Sequence, residues 1–273
     1  MGGSTILQYS YDYRLVALSV AIAVAASYAA LELAARLSLA RNQERAAWLF
    51  GGAVAMGTGI WSMHYTGMIA YRLPVQIYYH VPTVLLSLLA AIGASFVALF
   101  VVSRQKMKLL HIAVGSLLMA AGISAMHYIG MAAMRLAAMH QYDSDLVIAS
   151  IAIAWLVSLA ALGLIKMNLV LGPTDGAQPG ASDGSSWLVK SVASVTMGIA
   201  IPAMHYTAMG AVTYKSMLGA PDLSFSMEMS ALRYSAIVII AVVVLASVFL
   251  LRLKPTFGPE VAVAASSQGR QRS

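Results

Sequence analysis

The chain has 273 residues, 60% of them hydrophobic and only 10% charged, where a soluble domain carries about 25% charged residues. That shortage excludes a water-soluble globule and leaves most of the surface facing lipid. The net charge of +7 is distributed among connections between apolar stretches, which is topology information rather than a nucleic-acid-binding face, and the absence of cysteine excludes disulfides and thiolate metal sites.

A helical span needs ~20 apolar residues, a strand span ~10 with alternating polarity. Seven segments meet the helical requirement, so the fold class expected is an all-α integral membrane protein with seven transmembrane helices. The first span, 15–35, is too long for a signal-peptide core and is flanked by Asp12 and Arg14 rather than by a cluster of positives. The second, 46–71, carries MHYTGM at 63–68. The third is 82–103. The fourth, 109–134, carries MHYIGM at 126–131. The fifth is 146–166. The polar stretch GPTDGAQPGASDGSS at 172–186 reads as a flexible loop. The sixth span, 187–213, carries MHYTAM at 204–209, and the seventh is 234–251. Residues 256–273 are expected to form a cytoplasmic tail or a linker to an output domain not contained in this sequence.

Lys and Arg accumulate on the cytoplasmic side of membrane proteins. With the N-terminus outside, twelve of the 17 basic residues fall inside, and only Arg14, Arg72, Arg135, Lys215 and Arg233 fall outside. The expected topology is N-out and C-in.

The three hexapeptides anchor a longer repeat. Counted from His64, His127 and His205, methionine recurs at −8, −1 and +4, isoleucine at −4 and tyrosine at +1. Each repeat is a pair of helices, the second bearing the motif; three pairs plus one closing helix make seven. An even helix number per repeat leaves the repeats parallel about an axis along the membrane normal. Each histidine then lies ~27 Å along its helix at 1.5 Å per residue, so all three share one depth near the outer face. Positions −11, −7, +3 and +4 lie on the histidine's side of an α-helix. They hold Ala53, Ser116, Ser194; Gly57, Ala120, Gly198; Gly67, Gly130, Ala208; and Met68, Met131, Met209. Helices in lipid approach one another through small residues, so the histidine face is the expected buried seam. Pro202 is expected to free backbone carbonyls near the third motif.

An ionisable residue inside a span is a functional hypothesis by default. A single histidine is explained by a hydrogen bond across a helix interface. Three in register, each with methionine one turn away, favour a shared ligand site at His64, His127, His205, Met68, Met131 and Met209. Imidazole suits zinc, copper, iron and nickel, whereas thioether favours cuprous copper. No carboxylate lies near the motifs, so copper is preferred, with zinc and haem as alternatives. Met63, Met126 and Met204 lie on a stripe turned away from the histidines and are assigned to packing. Tyr65, Tyr128 and Tyr206 are either interfacial anchors or hydroxyl partners behind the ligands. The outer-loop residues His80, Met139, His140, Met227 and Met229 could feed metal inward. No P-loop, nucleophile elbow or dinucleotide fingerprint is present, and no paired carboxylates lie within a span, so the chain is not expected to be an enzyme. A copper or small-solute transporter and a haem protein stay open as other readings.

Three M-H-Y-T copies in a seven-helix, N-out chain resemble the bacterial MHYT domain family. The resemblance covers about residues 10–255 and departs from the motif at Ile129 and Ala208. It implies a sensory domain over 1–255 that binds copper through the motif His and Met residues, with oxygen, carbon monoxide or nitric oxide as proposed signals. It also implies an inner-membrane location and a cytoplasmic cyclic-di-GMP output, a diguanylate cyclase or phosphodiesterase, as partner. A homodimer stays open. SYDYRLVALS at 10–19 is similar to the sensor half of dual cyclase/phosphodiesterase members.

Overall fold

A computed structural model describes residues 5–39, 42–104, 108–171, 183–217, 219–232 and 234. Six long helices dominate: α1 (Tyr13–Leu39), α2 (Asn42–Ala70), α3 (Val81–Val102), α4 (Leu109–Ala132), α5 (Ser144–Leu171) and α6 (Asp183–Gly210). Each packs on its neighbour in sequence, and α6 packs back on α1, so the six close into a ring. The motif helices α2, α4 and α6 all run toward one end; α1, α3 and α5 run away from it.

The architecture is mostly helical, as expected, and short strands are added at that end. That end carries seven short strands: β1 (Ser10–Tyr11), β2 (Tyr71–Arg72), β3 (Tyr78–His80), β4 (Met134–Arg135), β5 (Ala138–Tyr142), β6 (Val212–Ser216) and β7 (Ser226–Glu228). Antiparallel pairing joins the strand entering each helix pair to the strand leaving it: Tyr11 faces Tyr71, Tyr79 faces Met134, and Tyr142 faces Val212. The repeat unit is therefore β–α–α–β. The same backbone bond clasps each unit, from the amide of Asp12, His80 or Asp143 to the carbonyl of Ala70, Ala133 or Ala211, at 2.9, 2.8 and 2.8 Å. Strand β7 stands outside the threefold plan and adds to the β3–β4 unit alone. These residues pair because the chain reverses within a few residues at each helix end, where backbone donors would otherwise be stranded.

Among the described residues, four helices are long and apolar enough to cross a membrane, over Tyr13–Ala34, Val81–Val102, Leu109–Ala132 and Ser144–Leu164. α2 and α6 are as long but less apolar, because their packing faces carry Gly52, Gly57, Thr58, Gly59 and Ser62 in α2, and Ser194, Gly198 and Pro202 in α6. Those small residues serve close approach. A Cβ at Gly57 would strike the backbone of Ile92 in α3, one at Gly198 the backbone of Val24 in α1, and one at Gly122 the methyl of Ala94. The expected loop at 172–186 lies mostly outside the described residues, and its last four residues begin α6. α6 continues through Pro202 and ends at Gly210, three residues before the expected limit, where the chain enters β6. Helix resumes at 229–232; the expected seventh span, 234–251, and the tail lie outside the described residues apart from Tyr234.

Candidate metal centre

His64, His127 and His205 lie five or six residues before the ends of α2, α4 and α6, which is ~8–9 Å from the strand-bearing end at 1.5 Å per residue. All three are fully buried. Their Nδ1 atoms converge: His64 to His205 is 3.1 Å, and His127 to each of the others is 3.2 Å. The rings meet edge to face, with centroids 4.9–5.1 Å apart. Among the described residues this is the one group of three ligand-type side chains gathered in this way.

The three nitrogens form a near-equilateral triangle whose centre is ~1.8 Å from each corner, close to the ~2.0–2.1 Å of a metal–imidazole bond. The protonation arithmetic points the same way. A neutral imidazole has one N–H and one acceptor nitrogen. The three Nε2 atoms are buried with no hydrogen-bond partner. With the protons on Nε2, three Nδ1 lone pairs aim at one point and repel one another. A cation at that point converts the repulsion into coordination. The residues present therefore fit a metal ion.

The helices hold this triangle through glycine. A Cβ at Gly67 would collide with His205 Nε2, and one at Gly130 with His64 Nε2. The +3 residue of one motif is thus the seat of a neighbouring motif's imidazole. Ala208, at +3 of the third motif, is fully buried. The +4 residues Met68, Met131 and Met209 are buried one turn nearer the strands, in one contiguous cluster with Tyr65, Tyr71, Tyr79 and Met134. Met63, Met126 and Met204 are buried as well; Met126 joins that same cluster, and Met204 packs with Ala94, Ala120 and Ile123.

The motif tyrosines are hydrogen-bonded behind the histidines rather than directed to an interface. Tyr65 reaches Ser87 Oγ at 3.3 Å, Tyr128 reaches Ser150 at 2.7 Å, and Tyr206 reaches Ser19 at 2.8 Å. Each serine spends its own proton on the carbonyl three residues back, at 2.7 Å in every case. The tyrosine must therefore donate. A strand tyrosine backs each latch edge-on: Tyr79 on Tyr65, Tyr142 on Tyr128 and Tyr11 on Tyr206, with centroids 5.7–6.0 Å apart. In the first copy Trp61 Nε1 also donates to Ser87, at 3.1 Å. These latches join α2 to α3, α4 to α5 and α6 to α1, so they bind one repeat to the next.

Reading the motifs alone misses the serines and the strand tyrosines. Their signal is present: YDYRLVALS at 11–19, YHVPTVLLS at 79–87 and YDSDLVIAS at 142–150 share Tyr and Ser eight apart, and a second serine follows eight later at Ser27, Ser95 and Ser158. The odd helices thus repeat too, more faintly than the motif helices. Of the outer-loop candidates, His80 ends β3 and bonds Thr83, Met227 and Met229 pack against the methionine cluster, and Met139 and His140 are exposed on β5.

Three segments, 1–47, 57–115 and 121–174, match the MHYT family, described as a bacterial signalling protein N terminal repeat. The motif at 204–209 lies beyond these segments. The bifunctional diguanylate cyclase/cyclic di-GMP phosphodiesterase MucR of Pseudomonas aeruginosa is 43% identical over 205 residues, covering 75% of this chain and 28% of that protein. The signaling protein YkoW of Bacillus subtilis is 34% identical over 217 residues, 79% of this chain and 26% of that protein. The cyclic di-GMP phosphodiesterase NbdA of Pseudomonas aeruginosa is 32% identical over 219 residues, 80% and 27%. The chain spans about a quarter of the length of these relatives. No solved structure matches it.

Proposed function

The chain belongs to the MHYT family of bacterial signalling proteins, and from that premise we propose that it is the membrane-embedded sensory domain of a cyclic-di-GMP pathway, built around a copper ion. The single observation that carries the metal is the convergence of three buried Nδ1 atoms within 3.2 Å of one another. His64, His127 and His205 hold the ion, and Met68, Met131 and Met209 supply thioethers on the strand side. A ligand set of neutral imidazole and thioether favours copper over zinc. Haem is the poorer fit, since two axial nitrogens must stand on opposite faces of a macrocycle, ~4 Å apart with ~2 Å iron–nitrogen bonds, and these three crowd one point.

Copper held there would supply a centre able to bind oxygen, carbon monoxide or nitric oxide. The chain's own part is to hold the imidazoles in place with Gly67 and Gly130, and to tie their helices to the neighbouring repeat through Tyr65, Tyr128 and Tyr206. A ligand can shift the packing only by its differential affinity for two states, and coupling of ~1–3 kcal/mol is the usual scale. In this reading the strand-bearing end faces the periplasm, the C-terminus faces the cytoplasm, and the closing helix passes the shift to a cyclase or phosphodiesterase module. The family membership and the relatives' names support that output.

Elemental analysis of the purified protein tests the metal. The parent should carry copper in a fixed ratio, and the triple variant His64→Ala, His127→Ala, His205→Ala should carry none while remaining inserted. Equal metal in both would overturn the assignment.

A further inference from the structure

We propose that the β3–β4–β7 face is the entry route for cuprous copper, passing the ion from surface thioethers to the histidine triad. This rests on the copper reading above and adds the path of loading.

Among the described residues, strand β7 is the one strand outside the threefold plan. It brings Met227 opposite Tyr79, while β4 brings Met134 opposite the same tyrosine from the other side. Residues directly opposite in antiparallel strands lie on one face of the sheet. Tyr79 is fully buried, so that face is the inner one. Met134, Met227 and Met229 all pack in or against the cluster that contains Met68, Met131 and Met209. Thioether sulfur is thus present at the surface, at the sheet and beside the triad.

Two further observations point to a guest. The hydroxyls of Tyr71 and Tyr79 are buried with no hydrogen-bond partner, although both residues belong to this cluster. A cavity of about 410 Å³ opens at the same end, lined by Tyr71, Arg72, Glu228 and Met229 among others. Arg72 is paired with Asp12, which leaves Glu228 to attract a cation to the mouth; Met229 takes it by soft coordination, and Tyr71 lines the cavity wall. The other two repeats, with Tyr71 and Val212 at the place of Met134, have no such series. The transfer is ligand exchange of a closed-shell ion, with no change of oxidation state.

The test is stopped-flow uptake of Cu(I), supplied as its acetonitrile complex under anaerobic conditions to the metal-free full chain in nanodiscs, with Ag(I) as a second probe. Met227→Leu/Met229→Leu keeps the apolar volume and removes the sulfurs. The expected result is at least tenfold slower uptake with unchanged final stoichiometry and affinity. Uptake at the parental rate by that variant overturns the route and leaves the copper site standing. Loss of final stoichiometry as well would also overturn it, by making the two methionines part of the site itself. If the parent takes up neither ion, the copper reading falls and the route falls with it. Met139→Leu, exposed on β5, should load like the parent.

Discussion

Gly130→Ala separates the geometry of the triad from its chemistry, because it removes no ligand atom. The added methyl would stand 3.1 Å from Cδ2 of His64 and 3.3 Å from Cε1, and closer still to Nε2. Optimal non-bonded contacts are ~3.5–4.0 Å, so the ring must withdraw by ~1 Å. Metal sites tolerate deviations of about ±0.2 Å, so His64 Nδ1 leaves the triangle and one of three imidazoles is lost. Disturbing the support of a metal ligand costs ~10–100-fold in affinity; a displacement several times the tolerance belongs at the upper end, ~100-fold or ~2.7 kcal/mol. The assay is competitive Cu(I) titration of the purified chain, with thermal unfolding of the metal-free protein alongside. Ala208→Gly, at the corresponding place in the third motif, adds no atoms and should bind within a few-fold of the parent. If Gly130→Ala binds copper like the parent while remaining folded, the packing argument for the triad is wrong.

Ser87→Ala strands two buried donors, Trp61 Nε1 and the Tyr65 hydroxyl, whereas Ser150→Ala strands only that of Tyr128; at ~1–3 kcal/mol per orphaned group, the first should lower unfolding stability in detergent by about twice as much as the second. Tyr65→Phe, Tyr128→Phe and Tyr206→Phe remove donor and leave an acceptor that still bonds its own helix, so each should cost only ~0.6–1.7 kcal/mol, with the same measurement; a cost above ~3 kcal/mol for any of them would point to a further role for that hydroxyl. Gly57→Ala and Gly198→Ala press a methyl on the backbone of the next repeat and should impair folding more than Gly51→Ala or Gly163→Ala, where a Cβ meets nothing within 4 Å; equal yields of folded protein across the four would refute the close-packing account. A reporter fused after residue 255 should be active in the cytoplasm, and activity only in the periplasm would reverse the proposed topology.

The histidine triad was legible because its signal is redundant. Three identical dipeptides at one depth in parallel helices can hardly avoid meeting, and the small residues at +3 named the face on which they meet. What the +3 glycines do was not legible: each seats the imidazole of a different helix, and helical spacing speaks only of residues on the same one. The tyrosines were ambiguous for a related reason. A tyrosine near a helix end suits a membrane interface as well as a buried latch, and the choice depends on a serine from another repeat. The strands escaped because two to five residues carry no usable periodicity; Tyr71–Arg72 and Met134–Arg135 become strands through their partners, not their propensity. The lower hydropathy of α2 and α6 is the physical cost of their role, since glycine and serine permit close packing and lower apolarity together.

The latch between Tyr206 and Ser19 joins residues 187 apart in sequence. At ~5–20 residues per second of synthesis, α1 waits ~10–40 s for the helix that completes its neighbourhood. During that interval the first five helices can pair in order, each on the one before, but neither the ring nor the triad exists. His64 and His127 can approach early; the third imidazole arrives only with the final motif helix. A ribosome stalled before residue 205 therefore leaves a membrane intermediate with two of the three motif histidines and an open seam. The convergence of the three imidazoles exists only once α6 has taken its place between α5 and α1.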